Sequence, residues 1–108
     1  PINNLRILQY LADPLGHDAG EVAAWFRTWV GVEFAALEKR LAGEAETGRF
    51  CHGDQPTMAD ICLVAQVINN RRFDVDMSPY PTLNRIFEAA MGIPAFARAA
   101  PMEQPDAE

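Results

Sequence analysis

The sequence predicts an all-α fold, a helical bundle gathered around one buried central helix over about residues 57–70. Three observations predict it. Apolar residues recur at spacings of three and four in several segments, and no run of four or more positions alternates apolar and polar residues with Val, Ile and aromatic enrichment. One segment, residues 58–68, is apolar on almost every side of a helix. The 108 residues, 49% of them hydrophobic, fit one compact domain and leave no room for a second.

A first helix is expected over about residues 4–12, with Leu5, Leu8 and Leu11, or Ile7 and Leu11, on adjacent faces; Pro14-Leu15-Gly16 ends it. It reads as a helix already in progress at Pro1, as if continuing something longer. A long helix follows over about residues 19–42, where Val22, Trp25, Phe26, Trp29, Val30, Leu37 and Leu41 repeat near the helical period and span on the order of 35 Å. Residues 43–53 mix glycine and charge with Thr47 and read as a surface loop. The central helix starts at Thr57, where Thr57 and Asp60 form a capping box with Asp in place of the usual Glu or Gln, which assigns both a structural role. A turn-like piece over 73–81, a helix over about 82–91, a short helical turn over 94–99 and a proline-rich acidic tail complete the chain.

Composition narrows the function. Nine Lys and Arg against fifteen Asp and Glu give a net charge of -6, the wrong sign for attraction to nucleic acid or to an anionic membrane surface. The apolar run 58–68 is interrupted by Asp60 and Gln66 and falls short of the roughly 18 residues that cross a bilayer. Two cysteines in a chain with ample apolar content argue against a disulfide-stapled domain, so a reducing compartment, the cytoplasm, is expected.

Familiar reaction chemistry is sparse. Ser78 is the only serine and precedes Pro79 with no histidine nearby in sequence, so a Ser-His-Asp site is not expected. Cys51 and His52 are adjacent, Cys62 lies eleven residues on and His17 stands alone, which makes no metal-ligand spacing. Cys62 reads as a small core residue and Cys51 as a thiol beside a loop. Trp25, Trp29, Tyr10 and Tyr80 read as packing or interface residues. Two polar knots remain, Asn3-Asn4-Leu5-Arg6 and Asn69-Asn70-Arg71-Arg72. The arginines of the second either compensate the negative end of the helix macrodipole or form a fork for a carboxylate, and the residues alone leave both open.

Several segments together carry a resemblance: Pro1-Ile-Asn-Asn-Leu-Arg-Ile-Leu8, Gly53-Asp-Gln-Pro-Thr-Met-Ala-Asp-Ile-Cys-Leu-Val64, Arg72-Phe-Asp-Val-Asp76, Pro79-Tyr-Pro-Thr82 and Gln104-Pro-Asp106. In this order and over essentially the whole chain they resemble the C-terminal helical domain of zeta-class glutathione transferases, the maleylacetoacetate and maleylpyruvate isomerases. The Thr57-x-x-Asp60 box resembles that of glutathione transferases in general; the other segments are more specific to the zeta group.

The resemblance implies a two-domain enzyme in which a thioredoxin-like N-terminal domain, absent from this chain, binds and activates glutathione, while the helical domain supplies the substrate side of the cleft. It implies addition of the glutathione thiolate to the cis double bond of a maleyl dicarboxylate, rotation, and expulsion of the thiolate to leave the trans product. Arg6 and Arg72 match positions thought to bind substrate carboxylates, and Asn3 and Asn4 match a polar pair near glutathione. A homodimer is usual in the family. This chain alone, without the glutathione-activating motif, is expected to be inactive. The readings carried forward are a maleylacetoacetate isomerase of tyrosine and phenylalanine breakdown, its maleylpyruvate counterpart in gentisate breakdown, and a non-catalytic helical interaction module.

Overall fold

The computed structural model describes residues 4–107, which form five α-helices and one 3-10 turn and, among the described residues, no strand. Helix α1 spans Leu5–Ala12, α2 Ala19–Gly43, α3 Met58–Arg71, α4 Pro81–Met91 and α5 Pro94–Arg98, with the 3-10 turn at Pro101–Glu103. The helices agree with the sequence expectation to within a residue or so at most ends. The turn in the tail was not anticipated.

Helix α1 is short, buries no residue, and lies along α2. Beyond its end, Gly16 takes the left-handed conformation at φ +72°, which glycine enters without the clash a Cβ would bring. A reciprocal capping box then starts α2: the Glu21 amide donates to Asp18 Oδ1 at 2.9 Å and the Asp18 amide to Glu21 Oε2 at 3.0 Å. Its buried stripe is Phe26, Val30, Phe34 and Leu41; Phe34 was absent from the expected stripe, and Trp29 is 46% exposed.

Helix α4 packs against both α2 and α3, and α5 against α4. Leu83, Ile86, Phe87 and Ala90 of α4 are buried, as are Leu63, Val64 and Val67 of α3. By packing, therefore, the most enclosed helix is α4. The expectation that α3 is covered on all sides needs correction: Met58 is 72% and Ile61 54% exposed, and Ala59, Cys62 and Ala65 are exposed with them. The described helices cover only the side of α3 that faces the common core, so its apolar far side stands open.

The segment between α2 and α3 is more than a surface loop, because it plants Phe50 and Cys51 in the core. It folds back through the Phe50 amide to the Gly53 carbonyl at 2.9 Å and the Gly53 amide to the Glu46 carbonyl at 2.7 Å. A Cβ on Gly48 would come within 2.8 Å of the Gly53 backbone, so only glycine permits this close approach.

Candidate functional site

At its N-terminus α3 is locked by Asp60, which is fully buried. Its Oδ2 accepts the Thr57 amide at 2.7 Å and the Thr57 hydroxyl at 3.1 Å, and its Oδ1 accepts the Cys51 amide at 2.8 Å. Burial by itself raises the pKa of this carboxyl, but the bonds from Cys51 and Thr57 outweigh it and hold the group below its ordinary value. Thr57 and Asp60 thus meet as the capping box requires. The bond from Asp60 to Cys51, nine residues back, also ties the preceding loop to the helix, a link that the spacing did not reveal.

The expectation of Cys62 as a core residue needs correction. Cys51 is buried and Cys62 exposed. Desolvation, then the hydrogen bond and the charge of Asp60, push the Cys51 thiol up to about 12, which keeps it protonated and inert at neutral pH. Cys62 lies on the open side of α3, in a groove of about 610 Å³ between α2 and α3 whose walls include Phe34, Leu37, Arg40, Leu41 and Leu63. Among the described residues no cluster of three or more His, Cys, Asp or Glu could hold a metal ion, and no helix is long and apolar enough to cross a membrane.

At the other end of α3 the polar knot divides into residues with different duties. Asn70 is fully buried; its Oδ1 accepts the Gln66 side-chain amide at 2.7 Å, its Nδ2 lies 3.6 Å from Met77 Sδ, and its carbonyl accepts the Phe73 and Val75 amides at 3.1 and 3.2 Å. The Arg71 guanidinium sits over the Phe87 ring, 5.0 Å from its centroid, a cation–π contact that commits this arginine to the edge of the core. Arg72, the C-cap residue, is exposed, and its guanidinium makes no hydrogen bond or ion pair among the described residues. The backbone then turns through Asp74 at φ +50°, and Asp76 accepts the Ser78 amide at 2.9 Å, which occupies the only serine in a local turn.

Of the other sequence-derived site residues, Asn3 lies outside the described residues. Asn4 is the N-cap of α1, its Oδ1 accepting the Arg6 amide at 3.1 Å. That bond leaves the Asn4 NH₂ group as the donor available to a ligand. Arg6 is exposed on the first turn of α1. No hydrogen bond or ion pair joins Asn4 or Arg6 to Arg72 among the described residues. Arg6 and Arg72 thus stand exposed on separate elements, each with a guanidinium that has no hydrogen-bond or ion-pair partner among the described residues and is chemically suited to holding a carboxylate.

Two polar residues with structural duties escaped the sequence reading. Glu38 of α2 accepts the Thr82 and Leu83 amides at 2.9 and 3.0 Å and so caps α4 from another helix. Burial raises its pKa, and the Thr82 and Leu83 hydrogen bonds with the Arg85 charge bring it below the ordinary value. Arg27 of α2 donates through Nη1 to the Phe73 carbonyl at 2.9 Å.

Residues 8–94 match the glutathione S-transferase, C-terminal domain family. A probable maleylacetoacetate isomerase of Vibrio cholerae is 50% identical over 99% of this chain and 49% of its own length. A holo maleylpyruvate isomerase, a bacterial zeta-class glutathione S-transferase, superposes with a TM-score of 0.95 at 46% identity, over 100% of this chain and 51% of that one. A maleylacetoacetate isomerase of Methylobacterium extorquens AM1 with bound malonate and glutathione superposes at 0.94 with 35% identity, over 100% of this chain and 50% of that one. The chain spans about half the length of the curated relatives it matches. An all-helical fold, a Thr57–Asp60 box at the head of α3 and likeness over nearly every residue agree: the chain belongs to the glutathione S-transferase C-terminal domain family and groups there with the zeta-class isomerases.

Proposed function

We propose that this chain is the substrate-side half of a glutathione-dependent isomerase that converts maleylacetoacetate to fumarylacetoacetate in tyrosine and phenylalanine breakdown. One observation carries the reading: of two adjacent, exposed arginines at the end of α3, Arg71 has its guanidinium over the Phe87 ring while that of Arg72 is uncommitted among the described residues. Macrodipole compensation asks only for positive charge near the last turn. An exposed fork left without an internal partner is what a carboxylate ligand requires. Malonate, present with glutathione in the Methylobacterium relative, is a small dicarboxylate of the same chemical class as a maleyl substrate.

In this reading Arg72 and Arg6 each hold a substrate carboxylate, fixing the diacid while charge shifts along it. The family resemblance assigns Asn3 and Asn4 to glutathione binding, and the Asn4 NH₂ group donates to the tripeptide. Glutathione, when bound, supplies the sulfur nucleophile that makes rotation about the former double bond possible. A thioredoxin-like half supplies the activation of that sulfur, and the assembled enzyme is a cytoplasmic homodimer to which the exposed face of α2 around Trp29 and Val32 contributes.

The test is a glutathione-dependent cis–trans isomerase assay, with maleylacetoacetate and maleylpyruvate in parallel, on the polypeptide that carries both halves. Turnover of maleylacetoacetate is expected. Preference for maleylpyruvate moves the assignment to the sibling reaction, to one of whose enzymes the chain is also similar, at 46% identity. Turnover of neither diacid overturns the enzymatic reading and leaves a helical interaction module.

A further inference from the structure

The turn that follows Arg72 is fastened more firmly than an exposed helix end needs. The Phe26 ring stacks on the Phe73 ring with centroids 3.9 Å apart and planes inclined by 19°. One residue along α2, Arg27 Nη1 donates to the Phe73 carbonyl at 2.9 Å, across 46 residues of sequence. The Asn70 carbonyl accepts the Phe73 and Val75 amides, and the Arg72 amide donates to the Asn69 carbonyl at 3.1 Å. Backbone and ring are thus held on both sides of Arg72, while its own guanidinium is committed to no described residue.

These bonds differ in what they need. The Phe26–Phe73 stack and the Asn70 carbonyl use groups that are buried or partly buried, and they serve the core. Arg27 is exposed, and the carbonyl it holds could be satisfied by water at little cost. A charge-assisted bond there contributes chiefly geometry: it fixes the plane of the peptide one residue beyond Arg72, and with it the direction in which Arg72 leaves the end of α3.

We propose that Arg27 is a positioning residue for Arg72, acting through the Phe73 carbonyl to orient the guanidinium that receives a substrate carboxylate. The inference rests on the diacid-isomerase reading above. It assigns to α2, which carries none of the ligand-contacting residues named so far, a share in substrate affinity.

The experiment uses the polypeptide carrying both halves, with Arg27→Met, Arg27→Lys, Arg72→Ala and the double variant Arg27→Met/Arg72→Ala. Steady-state kinetics are measured for the diacid and for glutathione, with thermal unfolding of each variant alongside. Arg27→Met is expected to raise the diacid KM about 5-fold, leaving the glutathione KM and the unfolding temperature near those of the parent. Arg27→Lys, which keeps a charged donor, recovers part of the loss. In the Arg72→Ala background Arg27→Met has no further effect. An equal loss in both backgrounds, or an unchanged diacid KM for Arg27→Met where Arg72→Ala does weaken binding, overturns the positioning role alone. If Arg72→Ala itself changes nothing, the diacid reading falls and the inference with it.

Discussion

Asp60 shows how one side chain can organise a junction. Its two oxygens receive three hydrogen bonds from two chain segments, and the carboxylate is stabilised in its charged form. With the folded pKa below the unfolded value near 3.8, the unfolded chain binds more protons in the interval between them. The stabilisation is therefore complete above the unfolded value and is lost as pH falls through the lowered folded one. Asp60→Asn is expected to cost about 1.5–3 kcal/mol at neutral pH and to flatten the acid limb of a stability–pH profile measured by thermal unfolding; an unaltered acid limb would contradict this. The Thr57–Asp60 pairing was legible because a capping box is local, three residues apart. The fates of Cys51 and Cys62 were not. Cys51 follows an apparently polar loop, and its burial depends on Gly48 and Gly53 allowing that loop to fold inward. Cys62 sits in an apolar run whose outer side the described helices do not cover.

Helix boundaries followed from caps and prolines, which act within one turn. Contacts between helices were harder to foresee, as Glu38 illustrates. It lies four residues after Phe34, on the side of α2 that faces the core, where a carboxylate needs a donor. Helix α4 begins with Tyr80 and Pro81 and has no side-chain N-cap of its own, so its first amides need an outside acceptor. These two deficits answer each other in the fold, at a separation of 44 residues that no periodicity signals. Glu38→Ala is expected to destabilise the fold by about 1 kcal/mol, with the largest rise in amide hydrogen exchange at Thr82 and Leu83. Since the Glu38 pKa is lowered from 4.5, its contribution too is lost on acidification. Uniform exchange throughout α4 in the variant would show that the cap does not act locally.

At the scale of the whole molecule, the described chain has a radius of gyration of 15.2 Å, against about 13 Å for a self-contained domain of this length. Its extents of 46 × 36 × 21 Å describe a slab, and the large apolar residues Met58 and Ile61 stand on the open side of α3. An open apolar face of this kind is the mark of an interaction surface. Iodoacetamide is expected to label Cys62 and spare Cys51 in this chain by itself, and to label Cys62 much more slowly in the polypeptide carrying both halves. Equal labelling of the two cysteines, or no change on adding the other half, would contradict the covering. Paired kinetics on that larger protein test the division of roles between Arg71 and Arg72 most directly. Arg72→Ala is predicted to lose isomerase turnover at least ~10-fold with glutathione binding retained, while Arg71→Ala loses stability and keeps turnover. Parent-like turnover of maleyl diacids by Arg72→Ala would contradict the account.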